Sequence, residues 1–149
     1  YKANIDKSVA GEVLAEEPVV WVASEPKVFH KNDIVPLIAS PYPCGFRSDA
    51  VSALDEKGFN WQVCYSGACM TGRIAMARAG VGVTMLPKFI ADETSGVTVL
   101  TDSGLPALPN LKVALLQSAE RTGKALDSLG QMLREALSET VSEPVKVRA

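Results

Sequence analysis

The chain has 149 residues, which suits one domain or two small lobes, and its 47% apolar content is enough for a core, so wholesale disorder is excluded. No apolar run approaches the roughly 20 residues that a bilayer span requires, and no stretch resembles a signal peptide. With 15 basic and 17 acidic residues the formal net charge is −2, and the basic residues are scattered, so this sequence has no electrostatic footprint for nucleic acid.

Residues 11–16 fit a strand. Val19 to Ala23 (VVWVA) is a short β-branched and aromatic run, the pattern of a buried strand. Residues 24–35 are polar, carry Pro26 and are expected to form a loop. Pro36 to Ser40 reads as a short strand and Pro41-Tyr-Pro-Cys-Gly45 as a loop. Ser48 and Asp49 are good N-caps, so a helix is expected from there to Gly58, carrying Val51 and Leu54 inward. Trp61 to Tyr65 alternates like a strand. Ser66-Gly67 is expected to open an Ala-rich helix that ends at Gly80. Val81 to Leu86 (VGVTML) reads as a buried strand closed by Pro87. Val97 to Leu100 and Leu111 to Leu116 are expected strands, separated by the loop Gly104-Leu-Pro-Ala-Leu-Pro109. Thr122 is expected to cap the most periodic helix, in which Ala125, Leu126, Leu129, Met132, Leu133, Ala136 and Leu137 make a stripe that should pack on a sheet. Beyond Ser138 a charged tail with Pro144 is expected to fray. This alternation of strands and helices predicts an α/β fold.

Catalytic patterns fail on residue type. There is no G-x-S-x-G elbow and no Walker loop. Gly80-Val-Gly-Val83 precedes a strand, whereas a dinucleotide loop follows one and opens a helix. Its glycines read as a helix C-cap and a close-packing strand position. A cysteine nucleophile needs a base, and the single histidine, His30, sits among Lys31, Asn32 and Asp33, where it is expected to be solvated. Glu16-Glu17 would point to opposite faces of a strand. No enzyme activity and no cofactor are expected. The three cysteines, Cys44, Cys64 and Cys69, are odd in number and lack a secretion signal, which points to a reducing, cytoplasmic compartment. Cys64 and Cys69 have no matching ligand pair, so no metal site is expected, and both read as small buried hydrophobes.

Specific strings add a resemblance. Glu17 to Ala23 (EPVVWVA) resembles the strand that enters the second lobe of the sensor domain in LysR-type transcriptional regulators. Pro36-Leu-Ile-Ala39 with Tyr42-Pro-Cys-Gly-Phe-Arg47 and a following helix is similar to the next segment of that family. Ala75 to Pro87 (AMARAGVGVTMLP) resembles its return strand, V-x-A-G-x-G-I-x-x-L-P, and Gly104 to Asn110 is similar to a subgroup that includes motility and virulence regulators. The resemblance covers about residues 5–138. It implies a type 2 periplasmic-binding-protein-like fold, with one complete lobe and part of the other. Residues 1–23 would be the end of lobe I and the first crossing strand, 24–82 lobe II, 83–138 the return strand and the closing part of lobe I, and 139–149 a frayed tail. It further implies a small-molecule effector in an interlobe cleft, a homodimer or higher homo-oligomer and no membrane association. DNA contact would come only through an N-terminal domain that this sequence does not contain.

The residues point to the same region on their own. Ligands in α/β folds gather where strand ends meet helix starts. Two such places are Tyr42–Arg47 and Ser66-Gly67. Amides at a helix start and a serine hydroxyl hold a carboxylate well, and Arg47 can pair with one bidentately. The expected effector-binding residues are Tyr42, Cys44, Phe46, Arg47, Ser66, Gly67 and Pro87, facing the crossing strands near Trp21, with Phe46 and Met70 as apolar wall or core. Two competing readings are a solute-binding protein of a transport system and a thiol redox sensor acting through Cys44. The resemblance implies a reactive cysteine at the Cys44 position in peroxide-sensing relatives, which also need a resolving cysteine in the following helix; none lies between Cys44 and Cys64.

Overall fold

The computed structural model describes residues 12–116 and 123–140; the expected cap at Thr122 and most of the expected tail lie outside the described residues. In chain order the elements are β1 (Glu12–Glu17), β2 (Val19–Ala23), β3 (Ile34–Ala39), α1 (Gly45–Glu56), β4 (Asn60–Ser66), α2 (Met70–Arg78), β5 (Thr84–Pro87), α3 (Lys88–Glu93), β6 (Thr98–Val99), β7 (Leu111–Leu115) and α4 (Lys124–Thr140). They form two units. One is Pro18–Pro109, which holds β2 to β6; the other holds β1, β7 and α4.

In Pro18–Pro109, β3 and β4 run parallel from Ile34↔Asn60 to Ala39↔Ser66, with a register shift between Leu37 and Ile38. A parallel pair needs a crossover, and α1 supplies it. On the other side of β3 a parallel bridge joins Leu37 to Val83. There Ile38 N–H donates to the Val83 carbonyl and Val83 N–H to the Pro36 carbonyl, each at 2.8 Å. The buried Thr84 hydroxyl donates to the Ile38 carbonyl at 2.9 Å, so it is satisfied inside the core. β5 then pairs antiparallel with β2 from Val19↔Pro87 to Val22↔Thr84, and β2 with β6. A strand flanked on both sides and covered by helices reads as a continuous apolar run, which is why β3 is IVPLIA. Its Val35, Leu37 and Ala39 join Ala50, Leu54, Val83 and Met85 in the main core, to which Trp21 and Phe29 also belong. A second cluster of Val22, Leu86 and Ala91 collects Met70, Ile74 and Ile90.

Two glycines are required by position. Gly80 follows α2 with φ +74, the left-handed conformation that closes a helix, and its N–H donates to the Ala77 carbonyl at 3.0 Å. Gly82 packs so closely that a Cβ there would run into the Pro36 carbonyl and the Cys64 sulfur. Both roles match the sequence expectation for Gly80-Val-Gly-Val83.

Two helix starts differ from expectation, and one short helix is new. The first helix begins at Gly45, with Cys44 and not Ser48 or Asp49 as N-cap. The second begins at Met70 behind Cys69, and Ser66 is the last residue of β4. The ladder is the physical reason: Gly67 N–H donates to the Ala39 carbonyl at 3.0 Å and holds the chain extended past Ser66. The short helix α3 after Pro87 was not expected, since six residues carry too little periodicity to be read.

In the other unit β1 and β7 pair antiparallel from Glu12↔Leu115 to Glu17↔Leu111. The helix α4 touches β1, where Arg134 grips the Glu12 carboxylate through two nitrogens, Nη2 to Oε2 at 2.7 Å and Nε to Oε2 at 3.0 Å. Its apolar stripe was expected to pack on a sheet. Instead Leu126, Leu129, Met132 and Leu133 stay 39% to 65% exposed, because a two-stranded sheet is too narrow to cover a helix of 17 residues. Among the described residues no helix is long and apolar enough to cross a membrane.

Candidate functional site at the carboxyl edge of the parallel strands

Because β3 and β4 are parallel, both end on the same edge, at the pair Ala39↔Ser66. Each strand leads within a few residues into a helix, so the starts of α1 and α2 lie at that edge too. Cys44 and Cys69, the two N-caps, are in extended conformation, and neither side chain caps its helix by a hydrogen bond. Neither helix has an acidic residue in its first turn. The first-turn amides of both therefore carry positive partial charge with no carboxylate nearby on their own helix.

Arg47 is anchored at this edge. Its Nη1 donates to the Ser40 carbonyl at 3.1 Å, and its guanidinium carbon lies 4.1 Å from the centre of the Tyr42 ring. That stacking holds the plane of the guanidinium while Nε remains buried without a hydrogen-bond partner. Arg73, in the first turn of α2 with its N–H donating to the Cys69 carbonyl at 3.2 Å, is buried, and its Nε also has no partner. Burial pulls its pKa below the ordinary guanidinium value, while the sulfurs of Cys44 and Cys69 pull it the other way. The amides of Gly72 and Thr71, the Thr71 hydroxyl and Arg73 hold the exposed Cys69 thiol below its ordinary value. Burial pushes the Cys64 thiol up, against the backbone around it. The Tyr65 ring fills the corner between the strand end and α2. A Cβ on Gly67 would sit 2.7 Å from its hydroxyl, and one on Gly72 would sit 3.2 Å from it.

Five of the expected residues, Tyr42, Cys44, Arg47, Ser66 and Gly67, stand at this edge. Phe46 packs against the main core and Met70 against the second cluster. Pro87 is buried in β5, opposite Val19 in a different sheet. Trp21 is a core residue whose indole N–H donates to the Pro106 carbonyl at 2.8 Å. Cys64 and Cys69 were expected to be buried and are exposed; Cys64 lies on the more exposed face of β4 with its Sγ donating to the Leu37 carbonyl at 3.4 Å, and Cys69 caps a helix at the open edge. His30 is exposed, and Asp33 accepts from its main-chain N–H at 2.8 Å. Arg73 was missed. Its only sequence signal is that it lies four residues before Ala77, on the buried face of α2.

Comparison with known proteins identifies the family to which this fold belongs. Residues 2–138 match the family model of the LysR substrate binding domain, and the chain belongs to that family, with its type 2 periplasmic-binding-protein-like fold. It is 23% identical over 118 residues to the HTH-type transcriptional regulator PecT of Dickeya dadantii (strain 3937), covering 78% of this chain and 37% of PecT. The chain thus spans little more than a third of that curated relative. Among solved structures it is similar to the CcmR regulatory domain of Synechocystis PCC6803, with a TM-score of 0.70, 13% identity and coverage of 94% of this chain and 73% of that one. It is also similar to the effector binding domain of QuiR, with a TM-score of 0.65, 14% identity and coverage of 93% and 70%.

Proposed function

We propose that this chain is the effector-sensing part of a bacterial LysR-type transcription regulator, and that a small metabolite binds where the carboxyl ends of β3 and β4 meet the starts of α1 and α2. In this reading 24–82 is the second lobe, and 83–138 is the return strand with the closing part of the first. Tyr42, Cys44, Phe46, Arg47, Ser66, Gly67 and Pro87 surround the ligand. The regulator reaches DNA through a separate N-terminal domain, works as a homodimer or higher homo-oligomer in the cytoplasm, and performs no catalysis. The carrying observation is the pair of helix starts with no first-turn acid, one of which carries the Tyr42-stacked Arg47. Support also comes from the neighbours: the QuiR domain was solved with shikimate and the CcmR domain with 2-PG. Binding would act by favouring one arrangement of the regulator over another.

The test is Ser66→Trp in the full-length regulator. Ser66 is exposed at the strand end, so added volume there should be tolerated by the fold. The expected outcome is unchanged melting but at least about tenfold weaker binding of whichever metabolite from a panel stabilises the wild type, with loss of its transcriptional response. A variant that binds and responds normally overturns the site. The redox reading through Cys44 is separated by mild peroxide, which should leave the response unchanged.

A further inference from the structure

Neither Gly67 nor Gly72 has the positive φ that calls for glycine, so other residues could adopt both backbones. Gly72 moreover stands in the first turn of α2, where glycine weakens a helix relative to alanine. One ring accounts for both. A Cβ on Gly67 would lie 2.7 Å from Cε1 and from the hydroxyl of Tyr65, and a Cβ on Gly72 would lie 3.2 Å from the same hydroxyl. Gly67 is held in place by its N–H, which donates to the Ala39 carbonyl at 3.0 Å. Two positions thus stay without side chains so that a tyrosine can sit at the start of α2.

The strand that carries Tyr65 is shaped to the same end. Between Leu37↔Val63 and Ile38↔Tyr65 the register shifts, which leaves Cys64 as an extra residue in β4 directly before Tyr65. Such a bulge re-aims the side chain beside it. Before the bulge, Trp61 and Val63 pack against the main core; after it, Tyr65 joins neither core cluster and stays half-buried. Among the described residues its hydroxyl has no hydrogen-bond partner. A ring that only fills the interior needs no hydroxyl, and the buried Phe59 just ahead of the strand has none.

We propose that Tyr65 is the selectivity residue of the effector site. Its ring closes the α2 side against bulk, and its hydroxyl hydrogen-bonds the ligand. The proposal rests on the effector reading above and adds a requirement on the ligand: it is compact toward α2, with a hydroxyl or carbonyl group on that side and no ring or branched chain there. A site that hydrogen-bonds a ligand group rejects analogues that lack it.

The test compares wild type, Tyr65→Phe and Tyr65→Ala in the full-length regulator. The probes, in order of size, are glycerate, phenylacetate, gluconate, tryptophan and adenosine, and binding is read as saturable thermal stabilisation. Tyr65→Ala should shift the preference upward in size, binding at least one larger probe about tenfold more tightly than wild type does. Tyr65→Phe should keep the wild-type size order and bind the best probe severalfold more weakly. Two further measurements need no effector. On the 149-residue chain, 4-methylphenol, the lost side chain as a free molecule, should raise the melting temperature of Tyr65→Ala saturably and leave wild type unchanged, as a small ring fills a cavity of its own shape. Gly67→Ala should lower the melting temperature of wild type but not that of Tyr65→Ala, since the clash goes with the ring. The proposal is overturned if Tyr65→Ala binds the probes no differently from wild type, if Tyr65→Phe binds the best probe as tightly as wild type, or if 4-methylphenol acts equally on Tyr65→Ala and wild type. Should Tyr65→Ala not fold, Tyr65→Leu, which keeps apolar volume in the corner, is tested against the same probes. The two readings fail separately. If Ser66→Trp loses the effector response while Tyr65→Ala binds the probes as wild type does, the selectivity residue falls and the site stands. If Ser66→Trp responds normally while Tyr65→Ala changes the preference, the placement around Ser66 falls and Tyr65 stands.

Discussion

In Pro18–Pro109 the strand β3 buries Val35, Leu37, Ile38 and Ala39 completely, whereas α4 in the other unit, whose stripe is the most regular in the chain, leaves Met132 65% exposed. Both regions combine strands with helices. They differ in how many layers close on them. β3 has β4 on one side, the bridge to Val83 on the other, and α1 and α2 in contact with its sheet. α4 has a two-stranded ribbon. Periodicity states which face of a helix is apolar; only the neighbouring elements state whether that face is covered.

The largest effect should come from Leu54, fully buried in the main core. Leu54→Ala is expected to cost about 2–5 kcal/mol in urea unfolding followed by tryptophan fluorescence, while Met132→Ala should stay within about 0.5 kcal/mol. Equal losses would erase the contrast between the units. A smaller effect is expected from Gly82→Ala, whose methyl would press on the Pro36 carbonyl and the Cys64 sulfur; about 1–3 kcal/mol is expected for such overpacking, with faster alkylation of Cys64 as the β3 edge loosens.

The smallest effect concerns the other unit. The hydrogen bond from Arg134 holds the Glu12 carboxyl below its ordinary 4.5. A carboxyl depressed in the folded state adds stability above its unfolded pKa, and that stability is lost as pH falls through the folded value. The difference between wild type and Glu12→Gln, small at pH 7, should therefore shrink below pH 4.5 and also in high salt, because the pair is exposed. A difference that persists at pH 2 would mean that Glu12 matters through packing and not through charge.

Strands were legible in the sequence because β-branched and aromatic runs such as VVWVA admit few other readings. Helix starts were not. Cysteine is not among the side chains that cap helices well, so Cys44 and Cys69 gave no start signal, while nearby Ser48 and Ser66 gave false ones. For the site, the edge itself could be foreseen from the strand-to-helix order, and Tyr42, Arg47 and Ser66 with it. Arg73 could not, since a lone basic residue in an Ala-rich helix looks like a solvated charge until its neighbours are known. Pro87 was named from its place in the resemblance, and its pairing with Val19 follows from the strand register.

That register has a consequence for how the molecule tolerates change. Val19 opposes Pro87, and Lys88 N–H donates to the Pro18 carbonyl at 2.8 Å, so the chain leaves and returns at nearly one point. Everything between is an excursion with a closed mouth, stitched by the ladder of β2 with β5. A segment with joined ends behaves as a cassette: insertions, deletions or exchange of the stretch between Val19 and Pro87 need not move the flanking chain, provided the two stem strands still pair. Side chains at the carboxyl edge of β3 and β4 can therefore change within the cassette while its attachment stays fixed.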